Sequence, residues 1–383
     1  AIITAGDGVG VGKVFHYVNG KYALHQRAYR IHPVSTKLSG RYLYHYFITK
    51  FPSYIGKQMY QGSVPSIRRP MLNSFEIAIP ALEIQKKIDE LKKMSEASGM
   101  DLDNQIQTFE QQAQDYKKEL YSKLKPSQKL QIARHPERPK FLDYVDLICE
   151  DFIELHGDRE GMDDRAIIGG IAKINGKPVM IIGIQKGKST KENLEYNFGM
   201  PQPQGYRKAL RLFRHANKFN MPIVTLIDTP GAYPGIKAEE TGQGAAIAMN
   251  LREMSKLNVP IVSIITGEGC SGGALGLAVA DRVMMLEHAY YTVISPEGCA
   301  SILWRDAARY ADAAEALKIT SKDLLELGII DEEISEPLGG AHSDYNVVAE
   351  NMKSSIVNAL NELAKKSPEK LREERSVSYT HLT

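Results

Sequence analysis

At 383 residues, 43% hydrophobic and 25% charged, the chain is long enough for a large buried core and two structural units. No run approaches the roughly 18 uncharged apolar residues of a membrane-spanning helix, and the start lacks a secretory pattern, so the expected location is the cytoplasm. The net charge of +2 averages two unlike regions: residues 1–75 carry ten Lys and Arg against one acid, Asp7, whereas from Glu76 onward 38 basic residues face 45 acidic ones. Cys149, Cys270 and Cys299 fit neither a disulfide framework nor a C-x-x-C pair, which predicts reduced thiols and no zinc on this chain.

In chain order, Lys13 to Val18 and Tyr22 to Arg30 read as strands joined by a hairpin turn at Asn19-Gly20, with a helix through Tyr42 to Lys50. The run GDGVGVGK is not a phosphate loop, because Asp7 stands where Gly is required and Val14 where Ser or Thr is required. Leu102, Ile106, Phe109, Ala113, Tyr116 and Leu120 recur at steps of four and three, predicting one apolar helical stripe. Ser98-Gly99 separates it from a helix near Ile84 to Met94, so residues 80–128 read as an antiparallel helical hairpin.

Beyond the loop Arg134 to Pro139, strands and helices alternate. Strands are predicted at Ala166 to Ile174, Pro178 to Ile184, Pro222 to Asp228 and Pro260 to Thr266, and near Val283 and Tyr291. Helices are predicted near Gly205 to Phe219, near Gly242 to Lys256 and from about Gly272. The pattern implies an α/β fold with crossover connections and a largely parallel core buried on both faces.

Two loops carry the candidate chemistry. IDTPGAYPG (Ile227 to Gly235) follows a buried strand and is stiffened by Pro230 and Pro234, while Gly231 lets a ligand approach the backbone. TGEGCSGGAL (Thr266 to Leu275) follows the next strand and places Gly272, Gly273 and Ala274 where a helix begins, so free N–H groups there attract negative charge. Either stretch alone fits an ordinary turn or close packing. Together they supply the paired N–H donors of an oxyanion hole, which favours enolate chemistry.

The ordered motifs GDR, FGMPQPQGYRKALRL, IDTPGAYPG, GEGCSGGAL, SPEGCASILW and EPLGGAH resemble the alpha-subunit family of bacterial acetyl-coenzyme A carboxylase carboxyltransferases over residues 80 to 375. Cys270 stands where that family usually has Gly or Ala. The resemblance implies a ClpP/crotonase-like fold of repeated ββα units at 129–375, and carboxyl transfer from biotin on a separate carrier protein to acetyl-coenzyme A, giving malonyl-coenzyme A for fatty acid biosynthesis. It implies donors at Gly231 or Ala232 and at Gly272 or Gly273 for the biotin oxygen, with Tyr233, Gly235, Ser271 and Ala274 beside the substrate. It also implies a beta subunit bearing a zinc ribbon and the second oxyanion hole, in an α2β2 assembly, so that this chain is inactive alone.

No side-chain base is assigned, because the resemblance leaves the methyl proton to biotin itself. Asp228 and Glu268 read as loop-ordering acids. Tyr206, Arg207, Lys208 and Arg211 read as a solvated helical face, and Trp304 as core or interface. Ser271 has no His placed to make it a nucleophile. Gly273→Val is expected to suppress turnover about 100-fold while disturbing folding less.

Residues 1 to about 79 resemble part of the target-recognition domain of a type I restriction specificity subunit, chiefly through QGSVPSIRRPMLNSFEIAIPALEIQKKI, and form a small basic α+β fragment. That explains the charge and the tyrosines, since such domains contact DNA, but a partial domain is not expected to read DNA. FEIAIPALEIQKKID is similar to both families and marks the join. SVSYTHLT, residues 376–383, reads as a disordered, non-native tail. The rival readings are a stand-alone crotonase-type acyl-coenzyme A enzyme and a DNA-binding specificity protein.

Overall fold

The computed structural model describes residues 1–6, 11, 13–21, 23, 24, 28–35, 38–58, 67, 72, 77, 86, 89, 90 and 103–380. They form two units, 1–123 and 124–383. No helix among the described residues is long and apolar enough to cross a membrane.

In the first unit β1 (Ile2–Ala5) lies between β2 (Phe15–Tyr17) and β3 (Ala28–Ile31), antiparallel to both. The hairpin expected at Asn19-Gly20 therefore does not form. Ile2 faces Tyr17 on one side and Ile31 on the other, so the strands flanking that turn each pair with β1 instead of with each other. Helix α1 (Gly40–Gln58) supplies Leu43, Phe47 and Phe51 to a small core with Ile2, Val11 and Ile67, and the Phe47 and Phe51 rings stack at 4.2 Å. Helix α2 (Asp103–Ser122) lies where the apolar stripe predicts a helix, with Tyr116 and Leu120 exposed. The other four stripe side chains fall outside the described residues, as does the helix expected near Ile84 to Met94 except at residues 86, 89 and 90, which are helical.

The second unit is built on one sheet ordered β11-β9-β8-β7-β6-β5-β4. Its strands are β4 (Glu150–Glu154), β5 (Ile167–Ile174), β6 (Lys177–Ile184), β7 (Ile223–Thr229), β8 (Ile261–Cys270), β9 (Arg282–Leu286), β10 (Tyr290–Thr292) and β11 (Glu332–Ile334), with β10 pairing the end of β8. Strands β6 to β9 run parallel, while β4 and β5 are antiparallel to their neighbours. Asn175 and Gly176, at φ 49° and 71°, make the tight β5 to β6 turn.

Every residue of β7 and β8 is buried, as expected of parallel strands covered on both faces. Each Ile, Leu or Val side chain fully buried there contributes on the order of 1.5–3 kcal/mol relative to exposure. The covering helices that bear on the site are α3 (Pro126–Ala133), α4 (Phe141–Ile148), α5 (Thr190–Glu195), α6 (Pro203–Lys218), α7 (Ile236–Glu240), α8 (Gln243–Met254) and α9 (Ser271–Ala278). There follow α10 (Pro296–Trp304), α11 (Tyr310–Ala316), α12 (Ser321–Glu326), α13 (Tyr345–Leu363) and α14 (Pro368–Thr380).

Residues 376–380 continue α14, so the tail expected to be disordered is helical that far. The helix is anchored just before: buried Arg375 donates to Asp281 at 2.7 and 3.0 Å and to the carbonyls of Met254, Leu257 and Val259.

Candidate active site

Three neighbouring buried strands end on charged groups, and these meet. Lys186, just past β6, donates to Asp228 Oδ1 of β7 at 2.6 Å and to Glu268 Oε1 of β8 at 2.7 Å. The Glu268 N–H donates to Asp228 Oδ1 at 2.9 Å, closing the triangle. Strand β8 makes room with a bulge: Ile227 pairs with Ile265 but Thr229 with Gly269, so extra residues of β8 arch over Asp228. Gly267 is needed in that arch, because a Cβ there would stand 2.5 Å from the Asp228 carboxylate.

Arg134, just past α3, braces the arch from the other side. Its Nε donates to Glu268 Oε2 at 2.7 Å, Nη1 to Glu297 at 2.5 Å and Nη2 to the Tyr290 hydroxyl at 3.0 Å, while that hydroxyl donates to Glu268. Burial alone would raise the Glu268 carboxyl, but Lys186 and Arg134 outweigh it and hold the group at about 2. Burial would lower the Lys186 ammonium, and the two carboxylates outweigh that and keep it above the ordinary lysine value. Beneath, Arg138 and Glu336 form a fully buried pair, and Arg138 Nε donates to the Thr266 carbonyl at 2.7 Å.

The charged frame carries two backbone loops. Gly231, at φ 142°, has no atom within 4 Å of the place a Cβ would take, so its face is open. Its own N–H is already bonded to Thr229 Oγ1 at 3.0 Å, and that hydroxyl donates back to Gly231 O, which leaves Ala232 as the donor of this loop. Helix α9 starts at the end of β8 without a side-chain cap, and Ser271 is exposed in the left-handed region at φ 59°. The Ala232 N–H has no hydrogen-bond acceptor among the described residues, and the N–H groups of Gly272 and Gly273 lie in the first turn of α9, ahead of its first intrahelical bond.

The loops touch at Gly273, where a Cβ would lie 2.4 Å from Ala232 N and 2.5 Å from Gly231 C. The expectation that Gly273→Val blocks a ligand while sparing the fold is therefore corrected: the replacement collides with backbone first. Tyr206, wholly buried on α6, donates its hydroxyl to Gly273 O at 3.0 Å and holds the helix start from behind. Ala274 is wholly buried, so neither its side chain nor its backbone is exposed to a ligand. Tyr233 donates its N–H to Pro201 O at 3.0 Å and lays its ring across Gly235, the residue before α7. Burial pushes the Cys270 thiol up to about 11, which leaves it protonated.

The α6 cations do not form a solvated face. Lys208 is 1% exposed and donates to Asp163 and to Asp164 O, Arg207 pairs with Asp158, and Arg211 binds the carbonyls of Leu155, Gly157 and His156. These cations are spent fastening the 155–164 loop. Trp304 is half-buried, under the Arg309 guanidinium at 4.4 Å.

A cavity of about 320 Å³ opens beside Pro230 and Glu268, lined also by Arg134, Lys140, Lys186, Lys188 and Phe198. Asn197, Phe198 and Gly199 all have positive φ, strain of a kind that clusters at functional sites and costs about 1–3 kcal/mol for a non-glycine residue. Arg134, Lys140, Lys186 and the ring of Phe198 were not singled out from the sequence. One signal was present: a charge at the carboxyl end of each of three apolar strand runs, where open α/β sheets bind ligands.

A family model described as acetyl co-enzyme A carboxylase carboxyltransferase-like matches residues 74–383, and one described as a type I restriction modification DNA specificity domain matches residues 1–107. The acetyl-coenzyme A carboxylase carboxyl transferase subunit alpha of Synechococcus elongatus is 51% identical over 320 residues, covering 84% of this chain and 97% of the relative. The subunit of the same name from Prochlorococcus marinus strain MIT 9301 is 56% identical over 296 residues, covering 77% and 88%. A crystal structure of transcarboxylase 12S, with methylmalonyl-coenzyme A and methylmalonic acid bound, superposes with a TM-score of 0.50 at 22% identity, over 60% of this chain and 42% of that one. That likeness shows a shared fold, the crotonase-like arrangement of a sheet with crossover helices.

Proposed function

The chain belongs to the acetyl-coenzyme A carboxylase carboxyltransferase family, and from that membership we propose how its second unit works as the alpha subunit. The enzyme moves a carboxyl group to acetyl-coenzyme A, making malonyl-coenzyme A for fatty acid biosynthesis. Biotin, carried on a separate protein, supplies that carboxyl group when bound. The observation that carries the assignment of the site is the meeting of two loops from adjacent strands, one with the Ala232 N–H unpaired and the other with Gly272 and Gly273 in the first turn of α9. Two donors at a helix start and one from the facing loop fit a ring carbonyl oxygen, and the open face of Gly231 leaves the approach clear.

Negative charge developing on that oxygen is stabilised by these N–H groups, each worth about 100- to 1000-fold in rate. The Lys186, Asp228, Glu268 and Arg134 frame keeps the donors in register, so nothing reorganises as the charge appears. Neither carboxylate is suited to act as a base: Glu268 sits at about 2, and both are engaged by Lys186. This chain binds, aligns and stabilises.

The finer parts of the reading follow the family. A beta subunit with a zinc ribbon supplies the hole for the thioester oxygen, the assembly is α2β2, and it works in the cytoplasm. The domain limits are 80–128 for a helical hairpin and 129–375 for the carboxyltransferase domain. Residues 1–79, a piece of a DNA specificity domain, take no part in the reaction.

The test is reconstitution. The full chain, mixed with a purified beta subunit and carboxylated biotin, should form malonyl-coenzyme A from acetyl-coenzyme A, and neither subunit should do so alone. Turnover by this chain without the partner would sink the proposal in favour of a stand-alone acyl-coenzyme A enzyme.

A further inference from the structure

Of the four cations lining the 320 Å³ cavity, three are spoken for: Lys186 by Asp228 and Glu268, Arg134 by Glu268 and Glu297, and Lys188 by Asp143 at 2.6 Å. Lys140 differs. It is 7% exposed, and among the described residues its ammonium has neither a hydrogen-bond acceptor nor an ion-pair partner. A cation largely shielded from water with no acceptor of its own is costly, and a ligand carboxylate in the cavity would offset that cost.

We propose that this cavity is a carboxylate-binding site in which Lys140 pairs with the ligand's carboxyl group. The geometry supports that ligand class over a neutral one. The lining also includes the apolar Pro136, Phe198 and Pro230, so a small group with a charged end fits, and the volume is at the lower end of small-molecule sites. Glu268 also lines the wall, but Lys186 and Arg134 already claim its oxygens, so it does not serve Lys140. Burial lowers the Lys140 ammonium from its ordinary value, with Lys186 and Arg138 acting in the same direction and Asp228 and Glu268 against it, which agrees with a cation waiting for a partner.

Pro230 directly precedes the donor loop, so the site adjoins the proposed oxyanion donors. Its role in turnover rests on the function proposed above, whereas the binding does not. The shared chemistry is a carboxylate, which in turnover has two sources: the group arriving on biotin, or the end of the malonyl thioester.

The full-length chain is titrated with malonate and with its uncharged analogue malonamide, by calorimetry. Malonate should bind and malonamide should not. Lys140→Met should weaken malonate roughly tenfold or more, and Lys140→Arg should restore most of it. A second measurement needs no variant: malonate should slow acetylation of Lys140 by acetic anhydride, read by mass spectrometry, relative to Lys318, which is 64% exposed.

Malonyl-coenzyme A binding more tightly than acetyl-coenzyme A, by a Lys140-dependent margin, identifies the thioester as the source. Equal binding of the two, with malonate still Lys140-dependent, identifies the group on biotin. Malonate affinity unchanged in Lys140→Met, or no protection of Lys140, overturns the proposal. Carboxyl transfer without malonate binding defeats this inference alone, and malonate binding without carboxyl transfer defeats the function alone.

Discussion

Glu268→Gln removes the one carboxylate that joins Lys186, Arg134 and Tyr290. In the folded protein the group is held at about 2, against 4.5 for an ordinary glutamate. Each unit of difference is worth about 1.4 kcal/mol, so the carboxylate contributes on the order of 3 kcal/mol at neutral pH. Because the folded value is depressed, this stability is fully present above about pH 5 and is lost as pH falls through about 2. The variant should therefore melt about 6–12 °C lower at pH 7, using about 2–4 °C per kcal/mol for a unit of this size. The gap should then shrink to under half near pH 3, since the wild-type carboxylate is losing its advantage there. Differential scanning calorimetry of both proteins at pH 7, 5 and 3 measures it. A gap that is absent at pH 7, or undiminished at pH 3, would refute the account of Glu268 as the charged centre of the frame.

Gly273→Val should lower both melting temperature and reconstituted turnover, because its Cβ meets the Gly231 and Ala232 backbone; an unchanged melting temperature would show that the loops do not touch as described. Ser271→Gly should raise stability by about 1 kcal/mol by relieving the left-handed backbone, and should keep turnover within about tenfold. A loss near 10⁴-fold would instead mark Ser271 as a nucleophile. Arg138→Met should cost about 3–5 kcal/mol by stranding the buried Glu336 carboxylate, and Glu336→Leu in the same chain should recover most of it. Equal denaturation midpoints for the single and double variants would refute the pairing.

How far the fold could be read depended on whether neighbours in sequence are also neighbours in space. The strands β5 to β9 were legible because each is a long apolar run, and burial on both faces leaves little freedom for other residue types. The Asn-Gly signal shows the limit of local reading. At 175–176 it makes the β5 to β6 turn, since both flanking runs are eight residues long and pair along their whole length. At 19–20 it makes no hairpin, because β1, four residues of weak pattern at the chain start, takes both neighbours. The α6 cations misled for a similar reason: helical spacing places them together, but the acidic loop that buries them lies about 45 residues earlier.

The same contrast divides the site. The two loops proposed to carry its backbone donors were legible because donating an N–H at close range demands glycine and small residues, and such a requirement stays within a few consecutive positions. Of its charged frame only Asp228 and Glu268 were read, as loop-ordering acids within those same motifs; Arg134, Lys186 and Glu297 come from three other segments and none is distinctive alone. The two parts have different physical duties. A side-chain charge placed directly on the reacting oxygen would bind the resting substrate as well as the transition state, which gains nothing in rate. Fixed N–H dipoles act chiefly on charge as it develops, but they need a rigid mount. The buried ion pairs provide that mount: separating Lys186 from Asp228 and Glu268 would leave uncompensated charge in the core, so the strand ends cannot drift apart cheaply. In the proposed function the side chains therefore hold the geometry while the backbone meets the substrate. Lys140 is the exception, as the cation in the cavity that no carboxylate among the described residues pairs with, and this is why a charged ligand group is proposed for it.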